Sequence, residues 1–153
     1  MNFESIDDII AFAIEREKEA VDFYEELSRD EQFLSAQKSF AEFAEHERGH
    51  VRLLENFAAN KENLEKYNFK WIPDMKRSNY MLDTEYEKGM GHLDILRIAM
   101  KREEHALKLY NELQEKTDDE NFKKVFKILS QEEAKHKNIL ETIYDDHMAK
   151  LGD

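Results

Sequence analysis

The chain has 153 residues, the length of one ordinary domain, and a formal net charge of −12 from 23 basic and 35 acidic side chains. Four glycines and one proline are too few for a fold of many turns, so an all-β domain is excluded. The acidic charge argues against nucleic acid or an anionic membrane as a partner, and the absence of cysteine excludes disulfides and thiolate metal sites. We therefore expect an all-α protein and, because its start lacks a basic and apolar leader pattern, a cytoplasmic one.

Apolar residues at spacings of three and four predict four long helices. In chain order these span about Ser5–Ser28, Ser35–Ala59, His92–Lys116 and Asp119–Ala149. The connections at 29–34 and 117–118 are short, so the helices that each one joins are predicted to be antiparallel neighbours.

A long connection, residues 60–91, separates the second helix from the third. A segment of this length can return along the whole bundle, which makes these two helices parallel. We therefore predict a four-helix bundle with one long crossover, forming a single domain over 1–153. Trp71, with Phe69 and Ile72, is expected to cover the bundle or a dimer partner, and a substrate lid is an alternative. Two separate helical hairpins joined by a linker are the alternative architecture.

Six ionisable residues interrupt the apolar faces near the middle of the helices. The first and third helices each carry one glutamate there, and the second and fourth each carry a Glu-x-x-His pair. The set is Glu17, Glu47, His50, Glu103, Glu133 and His136. A charged side chain in a core costs several kcal/mol unless it is paired or bound to a metal ion. For any one of them alone, a hydrogen-bonded core histidine or a glutamate on a solvated face is the usual explanation.

The two halves of the sequence repeat these features at a constant offset. Both single glutamates, both glutamates of the pairs and both histidines are separated by 86 positions, and so are Tyr24 and Tyr110. The halves, at about 5–59 and 92–149, are predicted to be copies of one helical hairpin related by a pseudo-two-fold axis.

Four carboxylates and two imidazoles that converge in a bundle form a set of metal ligands. Two divalent cations would neutralise the formal charge of the four carboxylates. Oxygen and nitrogen ligands of this kind suit iron or manganese, and zinc less distinctively. A purely structural helical dimer with protonated carboxylates is the alternative without metal.

The stretches around these residues resemble those of ferritin-like di-iron proteins, and most closely the rubrerythrin-like group. They read EKEAVDFY from Glu17, ERGH from Glu47, EEHALKLY from Glu103 and EAKH from Glu133. The resemblance implies a ferritin-like four-helix bundle in which the six residues hold two iron ions, with Glu47 and Glu133 bridging them. It also implies an oxidoreductase whose Fe(II) pair reacts with hydrogen peroxide or dioxygen. Manganese or zinc are possible substitutes for iron.

The sequence departs from the family pattern at several points, which change the ligands, the electron supply and the assembly that we expect. Ala106 stands where rubrerythrins have an additional glutamate, and Arg48 stands where bacterioferritins have a haem-ligating methionine. We therefore expect a symmetric site of four glutamates and two histidines, without haem. The chain has no cysteine for a rubredoxin iron, so the electrons would come from a separate donor protein. With little sequence after the fourth helix, we expect a homodimer rather than a storage cage. An iron-handling, ferroxidase-like module without true turnover is the alternative function.

Tyr24 and Tyr110 lie two turns after glutamates of the predicted site, on the same helix faces. They are expected to donate hydrogen bonds to ligand carboxylates, with ordinary core tyrosines as the alternative. His46 and His105 fall off the apolar faces and are expected at the surface. His147 is a minor candidate for a further ligand.

Overall fold

The computed structural model describes residues 3–59, 77–81, 87 and 90–152. Four α helices occupy most of this part of the chain, namely α1 (Ile6–Arg29), α2 (Gln37–Ala59), α3 (His92–Glu115) and α4 (Glu120–Gly152). Two 3-10 helices accompany them, at Glu31–Ala36 and Arg77–Tyr80. The predicted all-α class is confirmed. The interpretations of Phe69, Trp71 and Ile72, and of most of the crossover 60–91, fall on residues outside the described part of the chain.

Short polar side chains set the helix starts. Ser5 precedes α1 and caps it, since its Oγ accepts a hydrogen bond from the backbone N–H of Asp8 at 3.1 Å. Before α4, Asp119 Oδ1 accepts from the N–H of Phe122 at 2.7 Å.

The link between α1 and α2 is more ordered than the loop predicted at 29–34. Asp30 ends α1 and accepts a hydrogen bond from the N–H of Gln32 at 2.9 Å, which starts the 3-10 helix. Phe33 is buried against Phe40 of α2, with ring centroids 5.3 Å apart. This apolar contact fixes the link against the second helix.

The helices pair as two hairpins, α1 with α2 and α3 with α4, and α2 also contacts α4. Their apolar faces form two core clusters, and each cluster draws side chains from both hairpins. One contains Ile10, Leu54, Tyr110 and Phe126, and the other contains Tyr24, Phe40, Leu96 and Leu140. The two hairpins therefore share a core, as expected for one bundle rather than two linked hairpins.

The six ionisable residues lie along the helices between these two apolar clusters, and each is at most 3% exposed. The bundle therefore encloses a polar layer between two apolar ones. Within the described residues, no helix is both long enough and apolar enough to cross a membrane.

Candidate metal centre

All four helices contribute to the buried polar layer. Glu17 comes from α1 and Glu103 from α3, each in the middle of its helix. The α2 pair and the α4 pair each place a glutamate and a histidine one turn apart, which directs both side chains to the same side of the helix. The structure brings together all six residues that the sequence predicts.

The six side chains form two overlapping groups that could each hold a metal ion. In each group, one ligand atom from every residue lies within 4.8 Å of the others. The first group is Glu17, Glu47, His50 and Glu133, and the second is Glu47, Glu103, Glu133 and His136. Glu47 and Glu133 belong to both. Each group thus offers three carboxylates and one imidazole.

The distances follow the same two-fold pattern as the sequence offset. Nδ1 of His50 lies 2.9 Å from Glu133 Oε1, and Nδ1 of His136 lies 3.0 Å from Glu47 Oε1. Each histidine also approaches the single glutamate of its own group, His50 at 3.5 Å from Glu17 and His136 at 3.7 Å from Glu103. The Nδ1 atoms of both histidines therefore face the carboxylates.

Two tyrosines bind the single glutamates from across the bundle. Tyr24 of α1 donates a hydrogen bond to Glu103 of α3, and Tyr110 of α3 donates to Glu17 Oε1 of α1 at 2.5 Å. Burial, with the charge of Glu103 beside it, raises the pKa of Tyr24 well above its usual value, and burial with neighbouring carboxylates does the same to the pKa of Tyr110. Both hydroxyls therefore stay protonated as donors and fix one oxygen of each glutamate.

The Nε2 atom of each histidine meets a residue that the sequence patterns do not single out as functional. His50 Nε2 contacts Glu132 of α4, and His136 Nε2 lies 3.0 Å from His46 Nδ1 of α2. His46 is exposed, as expected, yet it stacks on the ring of His136 with centroids 5.2 Å apart. The constant offset is the sequence signal that could have identified Glu132 and His46, because positions 46 and 132 are also 86 apart.

Crowded carboxylates and imidazoles shift one another's proton affinity. Burial raises the pKa of Glu133 well above its usual value, and the charges of Glu103 and Glu47 raise it further. Burial would raise the pKa of Glu47 too, but the nearby imidazoles of His136 and His50 outweigh it and lower this pKa to about 2.

The neighbouring carboxylates raise the pKa of both histidines, although burial alone would lower it. Burial alone would lower the pKa of His136, but Glu103 and Glu47 raise it to about 9. For His50, hydrogen bonds and charges of Glu47 and Glu132 likewise outweigh burial and raise the pKa. Without a cation, the crowded layer therefore favours the protonated forms of both histidines and of Glu133, whereas divalent metal ions would supply the positive charge instead.

The unsatisfied atoms of the layer fit a pair of metal ions. In the described part of the chain, ten buried side-chain nitrogen and oxygen atoms have no hydrogen-bond partner, and seven belong to the six predicted residues. The seven are Glu17 Oε2, both carboxylate oxygens of Glu47, His50 Nδ1, Glu103 Oε2, Glu133 Oε1 and His136 Nδ1. Buried polar atoms normally find partners, so this concentration of free lone pairs marks a place for cations. Oxygen and imidazole ligands suit iron and manganese.

A small cavity between α1 and α3 reaches the carboxylates. Its volume is about 50 Å³, and Ala20 and Ala106 lie beside it, together with Arg16, Arg102 and His105. The two arginines are partly exposed, so the cavity lies close to the surface there. A water molecule needs roughly 10–15 Å³ of such space, so the cavity accommodates only a few small molecules.

The structure also shows the surroundings of two further histidines, His105 and His147. His105 is half-buried and lines the cavity rather than lying fully at the surface. His147 stacks on His92, with ring centroids 4.1 Å apart, and belongs to neither group of candidate ligands.

Comparisons with known proteins agree with this architecture. Residues 94–151 match the protein-family model described as Rubrerythrin. The crystal structure of a ferritin-like diiron-carboxylate protein from Thermotoga maritima is similar, with a TM-score of 0.74 and 22% identity over 96% of this chain and 99% of the other. These findings show that the chain shares the ferritin-like fold and that its residues 94–151 are similar to rubrerythrin.

A hypothetical protein from Pyrococcus furiosus has the same arrangement, with a TM-score of 0.69 and 25% identity over 92% of this chain and 89% of the other. No curated protein sequence matches the chain. The ferritin-like four-helix fold predicted from the sequence is thus confirmed, and the matched segment together with the buried groups supports a two-metal site. The assignment of the six residues as its ligands stays a prediction.

Proposed function

We propose that the chain is a non-haem di-iron oxidoreductase of the rubrerythrin type, in which an Fe(II) pair reacts with hydrogen peroxide or dioxygen. One observation carries the proposal, namely the two overlapping groups that share Glu47 and Glu133. Two equivalent groups of three carboxylates and one imidazole, joined through shared carboxylates, suit a pair of ions better than a single one.

The residues of the chain would prepare the site for this pair. When bound, an Fe(II) pair supplies two electrons, one from each ion, which together with two protons convert hydrogen peroxide to two water molecules. The four glutamates supply negative charge that balances the pair in a layer closed to bulk water. Tyr24 and Tyr110 hold Glu103 and Glu17 in place, so that these carboxylates need little reorganisation.

The cavity supports a small oxidant as the substrate. It is lined by the glutamates of the layer, including Glu17 and Glu103, and is too small for an organic substrate of ordinary size. The small side chain of Ala106, where rubrerythrins have an additional glutamate, leaves this space open beside the carboxylates. Hydrogen peroxide and dioxygen both suit such a space.

Electron supply and assembly complete the proposal. Because the sequence contains no cysteine, it cannot carry a thiolate-bound iron centre, so the electrons would come from a separate donor protein.

We also propose a cytoplasmic homodimer. Ile128 and Ile139 support a docking face, since they lie three turns apart on one side of α4 and are 40% and 41% exposed.

The test is anaerobic loading with Fe(II), followed by stopped-flow mixing with hydrogen peroxide and with dioxygen in parallel. We expect about two iron ions per chain and a rise in near-ultraviolet absorption with at least one oxidant. Glu47→Ala should lose binding at both positions, because both groups use this residue, whereas Glu42→Ala, at an exposed position of the same helix, should load normally. Unchanged iron binding in Glu47→Ala would contradict the proposal.

Supplying a reductant separates turnover from iron handling. Repeated oxidation of the iron, with consumption of several equivalents of oxidant, supports the oxidoreductase. A single stoichiometric oxidation that does not repeat supports instead an iron-handling module of the ferroxidase kind, which the absence of cysteine electron carriers in the chain also favours.

A further inference from the structure

The two halves of the candidate metal centre match each other in every pair of contacts given above except one. The tyrosine–glutamate and histidine–glutamate contacts occur twice, at positions related by the offset of 86. The outer nitrogens of the histidines differ, since His50 Nε2 contacts the carboxylate of Glu132, whereas His136 Nε2 contacts the imidazole of His46. The same structural position thus holds a carboxylate side chain on α4 and an imidazole side chain on α2.

The chemistry of imidazole makes this difference matter for metal binding. Nδ1 of both histidines faces the carboxylates, so a metal ion would bind there and the remaining ring proton would sit on Nε2. His50 then donates this proton to a carboxylate oxygen of Glu132, whereas the partner of His136 Nε2 is an imidazole nitrogen, Nδ1 of His46. A hydrogen bond to a carboxylate is stronger than one to a neutral acceptor, and it makes the ligating nitrogen more basic.

We propose that Glu132 and His46 make the two metal positions unequal, so that the position formed with Glu17 and His50 binds a divalent ion more tightly and fills first. Neither residue touches the metal ion. Each is a positioning residue that acts through the histidine that it contacts. The inference rests on the proposed metal centre and concerns the order in which its two positions fill.

Anaerobic calorimetric titration with Fe(II) alone tests this order. The wild-type chain should bind two ions in two resolved steps. Glu132→Gln keeps the shape of the side chain but removes its charge, so it should weaken the tighter step about tenfold and leave the weaker step unchanged. His46→Glu gives both histidines a carboxylate partner and should strengthen the weaker step about tenfold. The double exchange, Glu132→His with His46→Glu, should reverse the order.

Matched controls separate local from general electrostatic effects. Glu141→Gln removes the same charge from α4 at a residue that pairs with Lys137 instead of a histidine, and Ala41→Glu adds one charge at an exposed position of α2. Neither should change a binding constant by more than about twofold. Glu132 is half-buried and His46 is exposed, so neither substitution disturbs the apolar core and both variants are expected to fold.

Removal of one histidine assigns each step to a position. His50→Ala should abolish the tighter step and His136→Ala the weaker one, with circular dichroism used to confirm that both variants are folded. Equal shifts of both binding constants in Glu132→Gln would overturn the inference while leaving a two-ion centre intact. Unchanged binding constants in Glu132→Gln and in His46→Glu would do the same. Failure of the wild-type chain to bind Fe(II) would overturn the proposed function as well.

Discussion

A buried tyrosine hydroxyl beside a carboxylate is a strong local constraint, and the candidate centre contains two of them. The reciprocal contacts, Tyr24 with Glu103 and Tyr110 with Glu17, cross between α1 and α3. Each hydroxyl therefore connects the two hairpins and orients a predicted ligand at the same time. Hydrogen bonds to charged groups contribute roughly 1.5–3 kcal/mol, about twice a neutral one.

Replacing one of these hydroxyls gives a prediction at this scale. Tyr110→Phe should lower the free energy of unfolding of the metal-free protein by about 1–3 kcal/mol, because Glu17 loses a buried hydrogen-bond donor. Urea unfolding at pH 7 measures it. Tyr144→Phe is the control, since its hydroxyl bonds the exposed Arg97, and it should cost less than about 1 kcal/mol. Equal stability of Tyr110→Phe and the wild type would contradict the role assigned to this contact.

The sequence predicts the six central residues but not their outer partners, and the helix period explains why. The six residues break apolar faces, which makes them visible in one helix at a time. Glu132 and His46 each directly precede a central glutamate in the chain, and therefore fall off the apolar face, where a charged or polar residue is ordinary. They contact the histidines from a different helix, and the apolar periodicity of one helix does not reveal its contacts with another.

At the scale of elements, polar side chains and buried aromatic contacts set the ends of the helices. The predicted helix ends agree with the structure to within a few residues, except where Asp30 and Phe33 convert an expected loop into a 3-10 helix. That conversion depends on the packing of Phe33 against Phe40, a tertiary contact that the local pattern does not contain. The fourth helix continues three residues beyond its predicted end at Ala149, and Leu151 in this last turn is 63% exposed, so the turn does not extend the buried apolar face.

Gly49 provides a prediction for one element. It lies within α2 between Glu47 and His50, where glycine is less favourable than alanine by about 0.5–1 kcal/mol. An added Cβ would meet only Arg52 Nη2, at an ordinary contact distance of 3.9 Å. Gly49→Ala should therefore raise the free energy of unfolding by about 0.5–1 kcal/mol, as measured by urea unfolding, and leave the metal stoichiometry unchanged. A loss of stability would show that the position requires glycine.

At the scale of the whole molecule, the buried polar layer divides the core and makes stability depend on what neutralises it. Two apolar clusters, one on each side, supply the burial that holds the four helices together. Between them, the raised pKa values of the histidines and of Glu133 favour protonated forms that offset the charge of the carboxylates when no metal ion is bound. The metal-free protein should therefore be sensitive to pH, and bound metal ions should remove that sensitivity.

The direction of this dependence follows from the shifted histidines. His136 has a pKa of about 9 in the folded chain, against 6.5 for an unperturbed histidine, and the pKa of His50 is raised as well. Between these values the folded state binds more protons on its histidines than the unfolded state, so the histidine contribution to stability is fully present below pH 6.5 and is lost as the pH rises to about 9. Thermal unfolding of the metal-free protein from pH 6.5 to 9 should show a decreasing Tm. A Tm that rises or stays constant over this range would contradict the assignment of protons.

The central claim is that one pair of metal ions lies between the four helices. Anomalous diffraction from crystals loaded anaerobically with Fe(II) tests it most directly, because it shows both the number of ions and their ligands. We predict two iron peaks in the layer, one beside His50 and one beside His136, with Glu47 and Glu133 contacting both. No peak in this layer, or a single peak at full loading, would contradict the claim.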